Sequence, residues 1–119
     1  MRMSMPSALL RLEGLAVLGA ALALYVDGPY ALWALLVFFL APDLSFFGYL
    51  GGARVGAVVY NAAHTYVGPV GLGAAAAVAG GGLGIQVALI WGAHIGLDRF
   101  LGYGLKYPTG FTDTHLGRV

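Results

Sequence analysis

The chain has no cysteine, and only 9 % of its 119 residues are charged. Without cysteine there is neither a disulfide framework nor a thiolate metal site, and the redox compartment is not legible. The shortage of charge says more. Hydrophobic residues make up 60 % of the chain and the mean hydropathy is +0.84, which leaves too little polar surface to clothe a soluble globule of this size. The bilayer is the natural solvent for such a composition. Six Lys and Arg give a net charge of +1 with no basic stripe, so nucleic acid is excluded as a partner.

Against that background four apolar stretches stand out, separated by turn chemistry. The first ends at Asp27-Gly28-Pro29 and the third at Gly80-Gly81-Gly82, both strong breaks. Each stretch is near the ~20 residues that cross a hydrocarbon core of ~30 Å. The sequence therefore predicts an all-α fold, a four-helix transmembrane bundle forming a single integral membrane domain over 1–119. Its helices run over about 8–26, 30–50, 54–79 and 83–101, followed by a polar interfacial tail over 102–119. The first stretch has the apolar centre of a secretory signal, but Arg11 and Glu13 interrupt its start and no A-x-A site follows, so it reads as a retained helix.

Orientation follows from the positive charges. Arg2, Arg11, Arg54, Arg99, Lys106 and Arg118 all fall at one end of the four helices, and the loops around Asp27 and Gly81 hold neither Lys nor Arg. The positive-inside rule makes that end cytoplasmic, with both termini inside. A bacterial inner-membrane location and membrane lipids as surroundings are the corresponding expectations.

Depth can be counted at about 1.5 Å per residue. Asp43, His64, His94, Asp98 and Glu13 all fall in the inner half of the bilayer, and every helix supplies at least one of them. Facing agrees with depth. His94 and Asp98 are spaced i, i+4 on one helix face, and Asn61, His64, Thr65 and Gly68 form the only polar stripe of the third helix. Pro42 and Pro69 each remove a backbone donor, which predicts kinks in helices 2 and 3 beside this layer. Ala88, Gly92 and Gly96 form a small-residue face suited to close packing, or to a homo-oligomer.

Ionisable groups cost roughly 2.5–3.5 kcal/mol each at the membrane centre, so several gathered in one layer call for a reason. Two His and two carboxylates from three helices are the donor set of a hard to borderline divalent ion. Asp43, His64, His94 and Asp98 are thus the expected ligands of zinc or manganese, with Asn61, Thr65 and Lys106 behind them. An open position on such an ion would lower the pKa of a bound water. Glu13 or Asp98 would then serve as general base, and Arg99 or Lys106 would neutralise a phosphate or carboxylate, in a hydrolase acting on a lipid-like substrate. Two other readings stay open: a b-type haem ligated by His64 and His94, and a non-catalytic oligomer or proton relay. Glu13 beside Arg11, and Asp98 beside Arg99, also read as plain interfacial charges. In the tail, the tyrosines and Phe111 read as an interfacial anchor, over which Asp113 and His115 could fold as a lid.

The stretches "APDLSFFGYLGG", "YNAAHTY" and above all "HIGLDRFLGYGLKYPTGFTDTHLG" resemble the bacterial membrane proteins of domain-of-unknown-function family 4260, from about Leu9 onward. The resemblance implies a small integral inner-membrane protein with no assigned activity. A looser similarity, in the Pro-Asp step and helix-borne histidines, links the chain to membrane-bound predicted metal-dependent hydrolases of the LexA-regulated type. This chain is shorter and lacks their D-x-D-H run.

Overall fold

The computed structural model describes residues 3–119, so Arg2 and its part in the charge distribution lie outside the described residues. The first helix, α1 (Met5–Asp27), starts at Ser4, whose hydroxyl accepts the Ser7 N–H, an N-cap followed by Pro6 where a missing N–H is harmless. Its buried positions are Ser7, Gly14, Ala21 and Tyr25, a narrow stripe at near-heptad spacing made mostly of small residues. The large residues point outward: Leu9, Leu12, Leu24 and Val26 are exposed. Small inside and large apolar outside is the pattern of a helix whose surroundings are themselves apolar.

Past Asp27 the structure departs from four continuous helices. The second apolar stretch is about two α-helical turns, α2 (Leu32–Phe38), followed by a 3-10 segment, Ala41–Gly51. The third is two helices, α3 (Ala53–His64) and α4 (Val67–Ala79), separated by Thr65 in extended conformation. The fourth is one helix, α5 (Gly82–Leu101), and the tail ends in a short turn of helix, α6 (His115–Arg118). All regular elements of the described residues are thus helices, with one isolated bridge between Lys106 and Thr114 in the irregular tail. Two stretches, Met5–Asp27 and Leu32–Gly51, are long and apolar enough to cross a membrane.

The expected kinks are breaks. Pro42 cannot donate to the carbonyl behind it, and the chain tightens so that the Asp43 N–H bonds Leu40 O at 3.0 Å, an i to i−3 bond. Pro69 likewise leaves the Thr65 carbonyl without its helical donor. A helix end leaves its last carbonyls orphaned, and α5 caps those of α3. Trp91 Nε1 donates to Ala63 O, and Arg99 Nη2 to His64 O at 2.7 Å.

α5 is the spine, buried along Ala88, Ile90, Gly92 to Gly96 and Arg99. It packs against α1 on one side and α4 on the other. The small-residue face is divided between these neighbours: Gly96 meets Gly14 and Leu18 of α1, whereas Gly92 and Ala88 meet Pro69 and Gly73 of α4. These glycines are occupied within the chain. The crossing is close enough that a Cβ on Gly14 would lie 2.7 Å from Gly96 O, while one on Gly19 would meet nothing within 4 Å. Gly14→Ala is therefore expected to destabilise the protein by about 1–3 kcal/mol through overpacking, and Gly19→Ala to be neutral or slightly stabilising. Melting temperatures in mild detergent test this; equal shifts for the two would refute the close crossing.

Candidate metal centre

The two breaks and the spine deliver four side chains to one point. Asp43 sits in the first turn of the 3-10 segment, His64 is the last residue of α3, and His94 and Asp98 lie one turn apart on α5. Each offers one donor atom, and the four lie within 4.8 Å of one another. His94 Nε2 is 3.2 Å from Asp43 Oδ1, from Asp98 Oδ2 and from His64 Nε2. His64 Nε2 is 3.3 Å from Asp43 Oδ1 and 3.4 Å from Asp98 Oδ2. Both imidazoles are buried, and the carboxylates are partly exposed.

The hydrogen bonding on the far side of the rings decides what these contacts are. His64 Nδ1 lies 3.0 Å from the Tyr60 carbonyl, which can only accept, so Nδ1 carries the proton and Nε2 presents a lone pair. The Tyr60 ring stacks on the His64 ring at 3.8 Å and 7°, fixing its plane. His94 Nδ1 is buried beside the backbone of Phe39, whose carbonyl is the one Pro42 orphans in the 3-10 register. His94 Nδ1 has no hydrogen-bond partner among the described residues, so its Nε2 is free to serve as donor or acceptor. Two imidazoles and two carboxylates then face one another at contact distance, a concentration of negative charge and lone pairs that a bound cation would stabilise.

The spacing fits a metal. Five of the six donor-to-donor distances are 3.2–3.4 Å and the sixth, between the two aspartates, is within 4.8 Å, close enough for all four to reach one ion at about the zinc–nitrogen and zinc–oxygen distance after a small adjustment. The backbone carbonyls behind the histidines are the partners that orient metal-binding imidazoles. A haem fits poorly, because the two carboxylate oxygens occupy the space between the imidazoles where a porphyrin would lie.

Of the other residues singled out in the sequence, Glu13 is exposed on α1 and is not among the converging donors. Arg99 is only 6 % exposed, and its guanidinium is engaged by His64 O and Tyr103 O. It holds the end of α3. Thr65 Oγ1 accepts the Val67 N–H at 3.5 Å and marks the helix break. Asn61 pins the tail as a strand partner would: its Nδ2 donates to Lys106 O at 2.8 Å and its Oδ1 accepts the Lys106 N–H at 2.7 Å. Tyr60, Ser45 and Phe39 surround the histidines without having been singled out. The i, i+4 spacing of Tyr60 and His64 was the one signal available.

The tail folds back over this layer. Gly102, at φ +99°, closes α5 with the Tyr103 N–H on Asp98 O at 2.8 Å, a Schellman-type cap that reverses the chain. Leu105 pairs with His115 twice, through His115 Nδ1 and the His115 N–H. Asp113 pairs with Arg118 at 2.7 Å and with Thr109, and Ser4 Oγ donates to Val119 O at 2.8 Å, bringing both ends of the described chain together.

The fold and site define an all-helical protein, rich in exposed apolar surface, that carries a buried two-histidine, two-aspartate group able to hold a metal ion. Residues 7–119 match the family described as Domain of unknown function (DUF4260), and the chain belongs to it. No curated protein and no solved structure matches the chain.

The tail's response to pH follows from two groups. Hydrogen bonds from Arg118, and then from Thr109, hold the Asp113 carboxyl at about 2. Its contribution is present above the ordinary carboxylate range and is lost only as pH falls through about 2. Burial first, and the Arg99 charge second, push the His115 imidazole below its ordinary value. Its contribution is complete above about 6.5 and declines as pH falls from there through the lowered value. Proteolysis of the 103–114 segment should accelerate as pH falls below about 6.5, and His115→Asn should flatten that dependence. An unchanged profile in the variant would contradict the assignment.

Proposed function

We propose that the protein is a multi-pass inner-membrane protein in which Asp43, His64, His94 and Asp98 bind zinc or manganese, and that this centre serves hydrolysis of a lipid-like substrate from the cytoplasmic side. The observation that carries the metal reading is the set of five donor-to-donor distances of 3.2–3.4 Å. A divalent ion there with one position open would supply a Lewis acid and an activated water at neutral pH. With all four side chains engaged such an ion would have no open position unless one of them gave way. Asp43, with 35 % of its side chain exposed against 16 % for Asp98, is the one with room to move, and it can then take the proton of the attacking water.

The membrane setting draws support from the outward-facing leucines of α1 and from the two stretches long enough to cross. The hydrogen bond between Ser4 and Val119 is consistent with both ends lying on one side, the side where Arg11 lies against Gly102. A lipid-like substrate is favoured by an apolar groove of about 790 Å³ with Trp33, Phe38, Ile90 and Trp91 in its walls. The groove also includes Pro42 and Ala63, the residues just before Asp43 and His64.

Elemental analysis of protein purified in mild detergent without a histidine tag is the test. Near-stoichiometric zinc or manganese is expected, reduced at least about tenfold in occupancy in His64→Ala and His94→Ala. A metal-loaded protein that hydrolyses no phospholipid or acyl ester would restrict the centre to a structural or relay role. Wild-type protein without metal would remove the hydrolase reading altogether.

A further inference from the structure

Between the metal centre and the folded-back tail lies a cavity of about 500 Å³. Asp43 and Asp98 form part of one wall; Tyr60, Lys106, Phe111 and Thr114 form others. Lys106 is the unusual member. It is only 7 % exposed, and among the described residues no carboxylate lies within ion-pair distance of it. Its ammonium donates to Phe111 O at 2.7 Å and lies 3.7 Å from the Phe111 ring centroid and 4.6 Å from that of Tyr60.

An ammonium has three donors, and here one protein acceptor is engaged with two aromatic faces beside it. A buried cation without a counter-ion is costly, and burial accordingly pushes Lys106 below its ordinary value, with Asp98 only partly restoring it. The backbone bonds from Asn61 on both sides of Lys106 hold the stem in place at that cost. Thr114 adds a hydroxyl whose oxygen accepts the Gly117 N–H at 3.0 Å and whose own proton is left to donate. One wall thus offers a fixed positive charge and an O–H group.

The opposite wall loses its negative charge when a metal binds. Asp43 and Asp98 carry two negative charges, and a divalent ion cancels them. We infer, resting on the metal reading above, that this cavity binds the phosphate group of a phosphate ester between Lys106 and the metal centre. Lysine is a point-charge partner suited to phosphate oxygens, and about 500 Å³ accommodates an esterified head rather than a bare ion alone. Anion and metal binding are therefore coupled, and each strengthens the other by the same factor.

Calorimetric titration of the full-length protein in detergent with inorganic phosphate and glycerol phosphate, with and without added zinc or manganese, tests this. Mixed micelles containing phosphatidic acid or a neutral diacylglycerol separate a lipid headgroup from a free phosphate ester. Phosphate binding should be at least about tenfold tighter with metal, and Lys106→Met should weaken it at least about tenfold while Lys106→Arg retains most of it. Lys106→Met keeps the apolar stem and the backbone pairing to Asn61, and an unchanged metal content would show that it is folded. Binding to metal-loaded protein that is indifferent to Lys106→Met, or equal with and without metal, overturns the inference while leaving the metal centre standing. A protein that takes up no metal overturns the reading on which it rests. Tighter binding of phosphatidic acid than of glycerol phosphate identifies a lipid source; equal affinities identify a soluble ester.

Discussion

The convergence of two aspartates and two histidines on one point is the constraint around which the rest of this chain is arranged. Two carboxylates and two imidazole nitrogens approach within 3.2–3.4 Å, and for His64 the ring proton is committed to the backbone on the other side. Such a group is unstable in an apolar interior unless something positive occupies its centre. The two departures from regular helix lie directly beside it. The 3-10 segment opens at Ala41, two residues before Asp43, and α3 stops at His64 itself. Irregular backbone in an apolar interior is tolerable where protein satisfies the freed groups, and here α5 does so.

α5 has two tasks that depend on each other. It contributes His94 and Asp98 to the centre, and through Trp91 and Arg99 it caps the carbonyls that the break in α3 exposes. The stem of Arg99, which reaches His64 O, lies directly against Gly14 of α1. A larger residue at that position would push on the arginine, and through it on the His64 backbone. Packing of small residues between α1 and α5 is in this way connected to the placement of a metal-ligating side chain one helix away.

Much of the donor set was legible in the sequence because two independent counts agreed. Residue counting placed Asp43, His64, His94 and Asp98 at similar depth, and helical spacing put His94 and Asp98 on one face. The breaks were legible only as kinks. A proline shows which carbonyl loses its donor, but whether the helix bends or stops depends on what else can satisfy that end, and those partners, Trp91 and Arg99, come from a helix some thirty residues on. The same ignorance made Arg99 look like a headgroup ligand. Charge next to Asp98 suggested an interface, whereas in three dimensions the guanidinium faces inward onto backbone carbonyls. Glu13 shared the expected depth with the others, yet its helix position turns it outward. The division of the small-residue face between α1 and α4 was equally hidden, since one stripe on a helical wheel does not say how many neighbours it serves.

The central claim is that a divalent ion sits among these four donors, and X-ray absorption at the edge of the bound metal tests it most directly. The account predicts a shell of about four nitrogen and oxygen neighbours near 2.0–2.1 Å, with the outer-shell scattering of two imidazole rings. A shell of water-like oxygens without imidazole scattering would place the metal elsewhere on the protein and contradict the account.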